Sequence, residues 1–135
     1  DAVRPQLRQQ AAAGQGGHLS LMASVAGYRG LPKALAYGPT KAALINLAEV
    51  LYNDLAPLGV GVSVVNPGFV QTPLTAQNDF SMPFLMEPEQ AAAHMLRLMR
   101  SGRFKASFPA VFSWVFRLGQ FLPDWAYYRL FAPKP

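Results

Sequence analysis

The sequence has 135 residues, 51% of them hydrophobic and 14% charged, with a net charge of +5 and no cysteine. So apolar a chain is not disordered, and at this length it holds one core: one domain, or most of one. The missing thiols exclude a disulfide framework and thiolate metal sites; with His18 and His94 the only histidines, metal chemistry is not expected and neither histidine is given a role.

In chain order, Asp1 is not an initiator, and neither a signal peptide nor a glycine-rich strand-turn-helix opens the sequence, so it reads as the second half of a larger domain. Residues 2–13, rich in Ala, Gln, Leu and Arg, predict a helix stopped by Gly14 and the Gly16-Gly17 pair. Residues 18–23 form a short apolar run that predicts a strand buried on both faces, as in a parallel sheet. Its carboxyl end delivers Ser24 to the crevice where open α/β sheets bind ligands. A loop with Gly27, Gly30 and Pro32 leads to Tyr37. Over residues 40–55 the spacing of Ala43, Leu44, Leu47, Ala48, Leu51 and Leu55 predicts an amphipathic helix, with Pro39 tolerated in its first turn and Pro57 and Gly59 ending it. The β-branched run at 60–65 predicts a second buried strand, ended by Asn66-Pro67-Gly68. Strand, helix and strand make a βαβ unit.

Residues 69–87 are a long connection without periodicity, a length typical of lids and binding loops. Its apolar members, among them Phe69, Leu74, Phe80 and Phe84, suggest a lid over an apolar substrate. Pro88, flanked by Glu87 and Glu89, starts a helix that runs to about Arg100 and stops at Gly102. Residues 104–135 read as an extension of the 1–103 domain, with ten of the sixteen aromatics between 104 and 131. Phe112, Val115, Phe116 and Gly119 share a helical face, and residues 125–131 suggest a second short helix. Arg117, Pro123 and Asp124 interrupt any run of roughly 18 apolar residues that a membrane helix needs. The extension is expected to bury its aromatics against the sheet or a second subunit; the alternative is a helix lying in a membrane interface. Seven of the twelve basic residues lie in 97–134, opposed by Asp124 alone, but they are not interleaved with a nucleic-acid motif, and no nucleic-acid partner is expected.

Tyr37 and Lys41, four apart, share one face of a helix with about 5–6 Å between Cβ atoms. A free phenol, with pKa about 10, is a poor acid-base group near neutrality; an adjacent cation lowers that value and lets the tyrosine exchange a proton with a substrate oxygen. Taken singly, Ser24 is a turn cap, Tyr37 a half-buried aromatic, Lys41 a solvated charge, and Thr72, before Pro73, a turn residue or cap.

Jointly, these residues resemble the short-chain dehydrogenase/reductase family. Its Tyr-x-x-x-Lys reads Tyr37-Gly38-Pro39-Thr40-Lys41, its serine thirteen residues earlier falls on Ser24, and its Asn-Pro-Gly reads Asn66-Pro67-Gly68, followed by Phe69-Val70-Gln71-Thr72. The resemblance runs from near the start to about residue 100. It implies the carboxyl-terminal part of a Rossmann-like doubly wound parallel α/β sheet, here with a helical, aromatic-rich tail.

The resemblance further implies an NAD(P)-dependent oxidoreductase that moves a hydride between a nicotinamide and a carbonyl or secondary alcohol. Ser24, Tyr37 and Lys41 would be catalytic. Tyr37, Lys41, Pro67, Gly68, the Val70 backbone and Thr72 would contact the cofactor, while the choice of NAD or NADP belongs to the half not present. A cytoplasmic homo-oligomer, packed through the helix beginning at Tyr37, is expected. The alternatives are a non-catalytic binding relative and a peripheral membrane module. Alone, the 135 residues are expected to be inactive and marginally stable, because a parallel sheet of two or three strands leaves an edge and a face uncovered.

Overall fold

The computed structural model describes residues 3–73, 75–77 and 81–131. In chain order the elements are α1 (Val3–Ala12), β1 (His18–Met22), α2 (Tyr37–Leu55), β2 (Gly61–Pro67), α3 (Pro88–Ser101), β3 (Lys105–Phe108), α4 (Ala110–Gly119) and α5 (Asp124–Phe131), with single 3-10 turns at Val25–Gly27, Ala56–Leu58 and Thr75–Gln77. The strands form one parallel sheet in the order β1-β2-β3, with Met22 opposite Val65 and Pro67 opposite Phe108.

β2 is buried without interruption from Val62 to Asn66 because helices cover both sides of the sheet. Successive side chains alternate between the faces. Val64 joins Ala23, Ile45 and Ala48 under α2, whereas Val65 joins Ala91, Leu98 and Phe108 under α3. This is the doubly wound α/β arrangement expected of the carboxyl-terminal part of a Rossmann-like sheet. α3 starts at Pro88 and ends before Gly102, which takes the left-handed φ of +65° that favours glycine.

Several expectations need correction. β1 is not buried on both faces: His18 and Met22 are exposed and the residues between are half-buried, since only β2 flanks it among the described residues. β2 does not end at Val65; β3 pairs with Asn66 and Pro67 and carries the strand two residues further. Proline is tolerated at that last position because the neighbouring Gly68 N–H, not Pro67, donates to the Phe108 carbonyl at 2.7 Å. Residues 105–108, read as the start of the extension, are the third strand.

On α2 the residues facing the core are Gly38, Ile45 and Ala48, while Ala43 and Leu47 are exposed. This helix is apolar on more than one side, so periodicity alone left its rotation undetermined. α4 behaves likewise. Phe112 and Phe116 pack inward, but Val115 points outward with Val111, Trp114 and Leu118. The extension therefore buries only part of its aromatic content: Phe121 is 85% exposed. No helix among the described residues is long and apolar enough to cross a membrane.

Candidate active site

The ladder of β1 runs one residue past the strand, with Ala23 N–H donating to the Val65 carbonyl at 2.8 Å, and the chain then leaves the sheet at Ser24. Ser24 is extended, 4% exposed, and caps the turn Val25–Gly27. Its Oγ accepts from Ala26 N–H at 3.2 Å and donates to the Pro67 carbonyl at 3.3 Å, joining the carboxyl ends of β1 and β2. A bond of 3.3 Å is long for O–H···O, so a better acceptor at this place would redirect the proton at small cost.

The capped turn lies directly on α2. A Cβ at Gly27 would stand 2.7 Å from the Lys41 carbonyl carbon and 2.8 Å from Ala42 N, which is backbone against backbone. Only glycine permits that approach, and the approach sets the Ser24 turn against the helical turn that carries Tyr37 and Lys41.

Tyr37 opens α2 and is 50% exposed. Lys41 Nζ lies 5.5 Å from the Tyr37 ring centroid, within cation–π range, and donates to the Met22 carbonyl at 3.1 Å. The ammonium is thereby held between the phenol ring and the end of the strand that delivers Ser24. Two of its three protons remain available to a ligand. One strand end thus collects all three residues.

The other predicted contacts follow β2. Pro67 offers its carbonyl to Ser24. At Gly68 a Cβ would sit 2.8 Å from Cδ1 of Phe112, so the missing side chain makes room for α4. Asn66 is fully buried and donates through Nδ2 to the Tyr28 hydroxyl at 3.2 Å; that hydroxyl also bonds Ser107 Oγ, which binds the loop after Ser24 to β2 and β3. Val70 bridges Met86, and its carbonyl accepts the Thr75 hydroxyl at 2.7 Å. Thr72 is exposed and caps the turn Thr75–Gln77: its Oγ1 accepts from Thr75 N–H at 3.2 Å while its own N–H donates to Thr75 Oγ1 at 2.8 Å.

The long connection is stitched at its base. Met86 N–H donates to the Phe69 carbonyl at 3.0 Å and Gln71 N–H to the Met86 carbonyl at 2.9 Å, so the two ends of the connection lie side by side. Of the predicted lid residues, Phe69 and Phe84 both pack on Phe112, at 5.6 and 6.1 Å between centroids; Leu74 and Phe80 lie outside the described residues. Phe84 takes a φ of +58°, a conformation that costs a non-glycine residue about 1–2 kcal/mol.

Sequence reasoning missed Phe112 as a partner of the lid, and Tyr28 and Arg29 as anchors of the loop after Ser24. Arg29 pairs with Asp124 at 2.6 Å. The one sequence signal for it was Asp124 itself, a lone acid in a basic stretch. Tyr127, stacked under Arg29, donates to the Gly30 carbonyl at 2.8 Å, and burial raises its phenol above the usual 10 against the opposing pull of the guanidinium. It is therefore a protonated donor throughout the neutral range.

The chain matches the family model described as short chain dehydrogenase over residues 2–81. It is 40% identical over 123 residues to an uncharacterized oxidoreductase of Myxococcus xanthus (strain DK1622), covering 91% of this chain and 47% of that protein. It is also 40% identical over 70 residues to 3-ketodihydrosphingosine reductase of Dictyostelium discoideum, covering 52% of this chain and 21% of that one. The chain thus spans less than half the length of either relative. Among solved structures, a short chain dehydrogenase from Burkholderia cenocepacia J2315 in complex with NADP superposes with a TM-score of 0.78 at 21% identity, over 97% of this chain and 52% of that one.

Proposed function

Since the chain belongs to the short-chain dehydrogenase family, we propose that the protein is an NAD(P)-dependent oxidoreductase acting on a carbonyl or secondary alcohol of an apolar substrate. The observation that carries this reading is the Lys41 ammonium, held between the Tyr37 ring and the Met22 carbonyl beside Ser24. A half-exposed phenol and an ammonium with free protons are the donors that a nicotinamide ribose requires, so the residues present fit such a cofactor. When bound, the nicotinamide supplies or accepts the hydride.

The chain's own residues do the rest. Tyr37 gives a proton to the nascent alkoxide in reduction and takes it back in oxidation. Ser24 turns its hydroxyl from the Pro67 carbonyl to the same substrate oxygen. Lys41 holds the ribose and keeps its positive charge beside the Tyr37 ring. The Pro67-Gly68 turn lets the nicotinamide approach the backbone, and the Val70 backbone and Thr72 orient the carboxamide. Phe69 and Phe84 line the lid, in keeping with an apolar substrate, and the Dictyostelium relative is by its name a reductase of a keto compound.

The test is nicotinamide absorbance in the whole protein, with NADH and NADPH separately and a panel of apolar ketones and aldehydes. Turnover is expected, and Tyr37→Phe should lower kcat about 10²–10⁴-fold. Cofactor binding without turnover would move the assignment to a binding role, and a Tyr37→Phe protein as active as the parent would remove the acid-base role from Tyr37.

A second reading, compatible with the first, is peripheral membrane contact through α4 and α5. It is favoured by the outward stripe of Val111, Trp114, Val115 and Leu118, continued by Phe121 and Trp125 and flanked by Arg117 and Arg129. Co-sedimentation of the whole protein with anionic vesicles, abolished by Trp125→Glu, is the expected result. No binding, or binding indifferent to that change, removes this reading.

A further inference from the structure

A single guanidinium holds the loop between Ser24 and Tyr37 from outside the sheet. Arg29 Nη1 donates to the carbonyls of Gly119 at 2.7 Å and Leu122 at 2.6 Å, and Nη2 donates to Asp124 Oδ1 at 2.6 Å. Its guanidinium carbon lies 3.9 Å from the Tyr127 ring centroid. Gln120 Nε2 donates to the Tyr28 carbonyl, and the Tyr127 hydroxyl to that of Gly30, both at 2.8 Å. Three successive loop residues are therefore fastened to the corner between α4 and α5.

The parts of this latch differ in weight. Asp124 is 85% exposed, so its ion pair contributes little by itself. Gly119 ends α4, where the helix carbonyls lack intrahelical donors and the dipole favours a cation. Arg29 supplies that cation through charge-assisted bonds to neutral carbonyls, and its own side chain is 16% exposed and flat against Tyr127. The carbonyl bonds and the stacking dominate. At the other end of the same helix, Phe112 fills the space over Gly68 and packs on Phe69 and Phe84. α4 thus spans the two loops that leave the carboxyl ends of β1 and β2.

We propose that Arg29 is a positioning residue, which locks the loop between Ser24 and Tyr37 onto the α4–α5 corner so that α4 sets the substrate side of the site. This rests on the oxidoreductase reading. Substrate would be gripped between the latched loop and the Phe112 cluster, while the cofactor contacts at Lys41 and along β2 would not depend on the latch.

The experiment compares Arg29→Ala and Arg29→Lys with the parent in the whole protein. Arg29→Ala should raise the substrate KM about tenfold or more with a smaller change in kcat and cofactor affinity altered less than about twofold. Arg29→Lys keeps the charge but not the fork that reaches two carbonyls and a carboxylate together, so it should restore only part of the loss. A merely structural role would lower the melting temperature and the folded fraction and leave KM unmoved, and that result overturns the proposal. Hydrogen exchange over residues 28–36 gives a reading independent of turnover: opening should become about tenfold more frequent in Arg29→Ala, and more frequent in Arg29→Lys if the alanine variant does not fold. Unchanged exchange rejects the latch even in a protein that turns over nothing, whereas faster exchange in such a protein upholds the latch and rejects the oxidoreductase reading alone.

Discussion

Two regions meet at the site and are built on different principles. In β1–α2–β2 the residues that matter are related by one helical turn or by the end of a strand: Tyr37 and Lys41 are neighbours on α2, and Ser24 and Pro67 terminate paired strands. At the α4–α5 corner the deciding contacts span most of the chain, 92 residues from Tyr28 to Gln120, 95 from Arg29 to Asp124 and 97 from Gly30 to Tyr127. Local geometry places Ser24, Tyr37 and Lys41, and distant contacts fasten the loop between Ser24 and Tyr37. Changes in the first region should therefore strike kcat and stability together, and changes at the corner should strike substrate affinity.

The comparison breaks hardest at two glycines of one loop. Gly27→Ala forces a Cβ to within 2.7 Å of backbone that cannot give way, whereas a Cβ at Gly30 meets nothing within 4 Å. Overpacking should cost Gly27→Ala about 1–3 kcal/mol, more than the 0.4–1 kcal/mol or so gained by restricting the unfolded chain. Gly30→Ala should be neutral to slightly stabilising. Denaturant unfolding of the whole protein, with kcat measured alongside, checks both; equal stabilities would mean that α2 does not need the close approach.

The smallest expected effect lies away from both regions. His94 stacks on Phe108 at 4.9 Å beside Arg97, and burial, followed by that guanidinium, holds its imidazole below the usual 6.5. Protonation then favours the unfolded chain. Stability should be level above about pH 6.5 and fall as the pH drops from there toward the folded-state value. Comparison with His94→Asn isolates this slope, and an identical pH dependence in the variant would assign it to other groups.

Legibility in the sequence followed the same division. Ser24, Tyr37 and Lys41 were readable because their relation is a count of residues along one strand end and one helix turn. The boundaries of α3 were readable from Pro88 and Gly102, which fix local backbone. The strand at Lys105–Phe108 was not: four alternating polar and apolar residues are too short a run to separate a strand from a loop, and the open edge of β2 makes them one. Leu47 and Val115 were misjudged because α2 and α4 are apolar around more than one side, and a hydrophobic period cannot choose a rotation when several are equally apolar.

By itself, then, the sequence determined the βαβ order, the burial of β2 and the residues gathered at its end, since these depend on short-range periodicity and backbone stereochemistry. Tertiary structure alone decided that Gly68 yields its space to Phe112, that Asn66 anchors Tyr28, and that Arg29 reaches across to cap α4. Such contacts pair surfaces brought together only when the whole sheet forms. Their partners lie too far apart along the chain for spacing or propensity to record them.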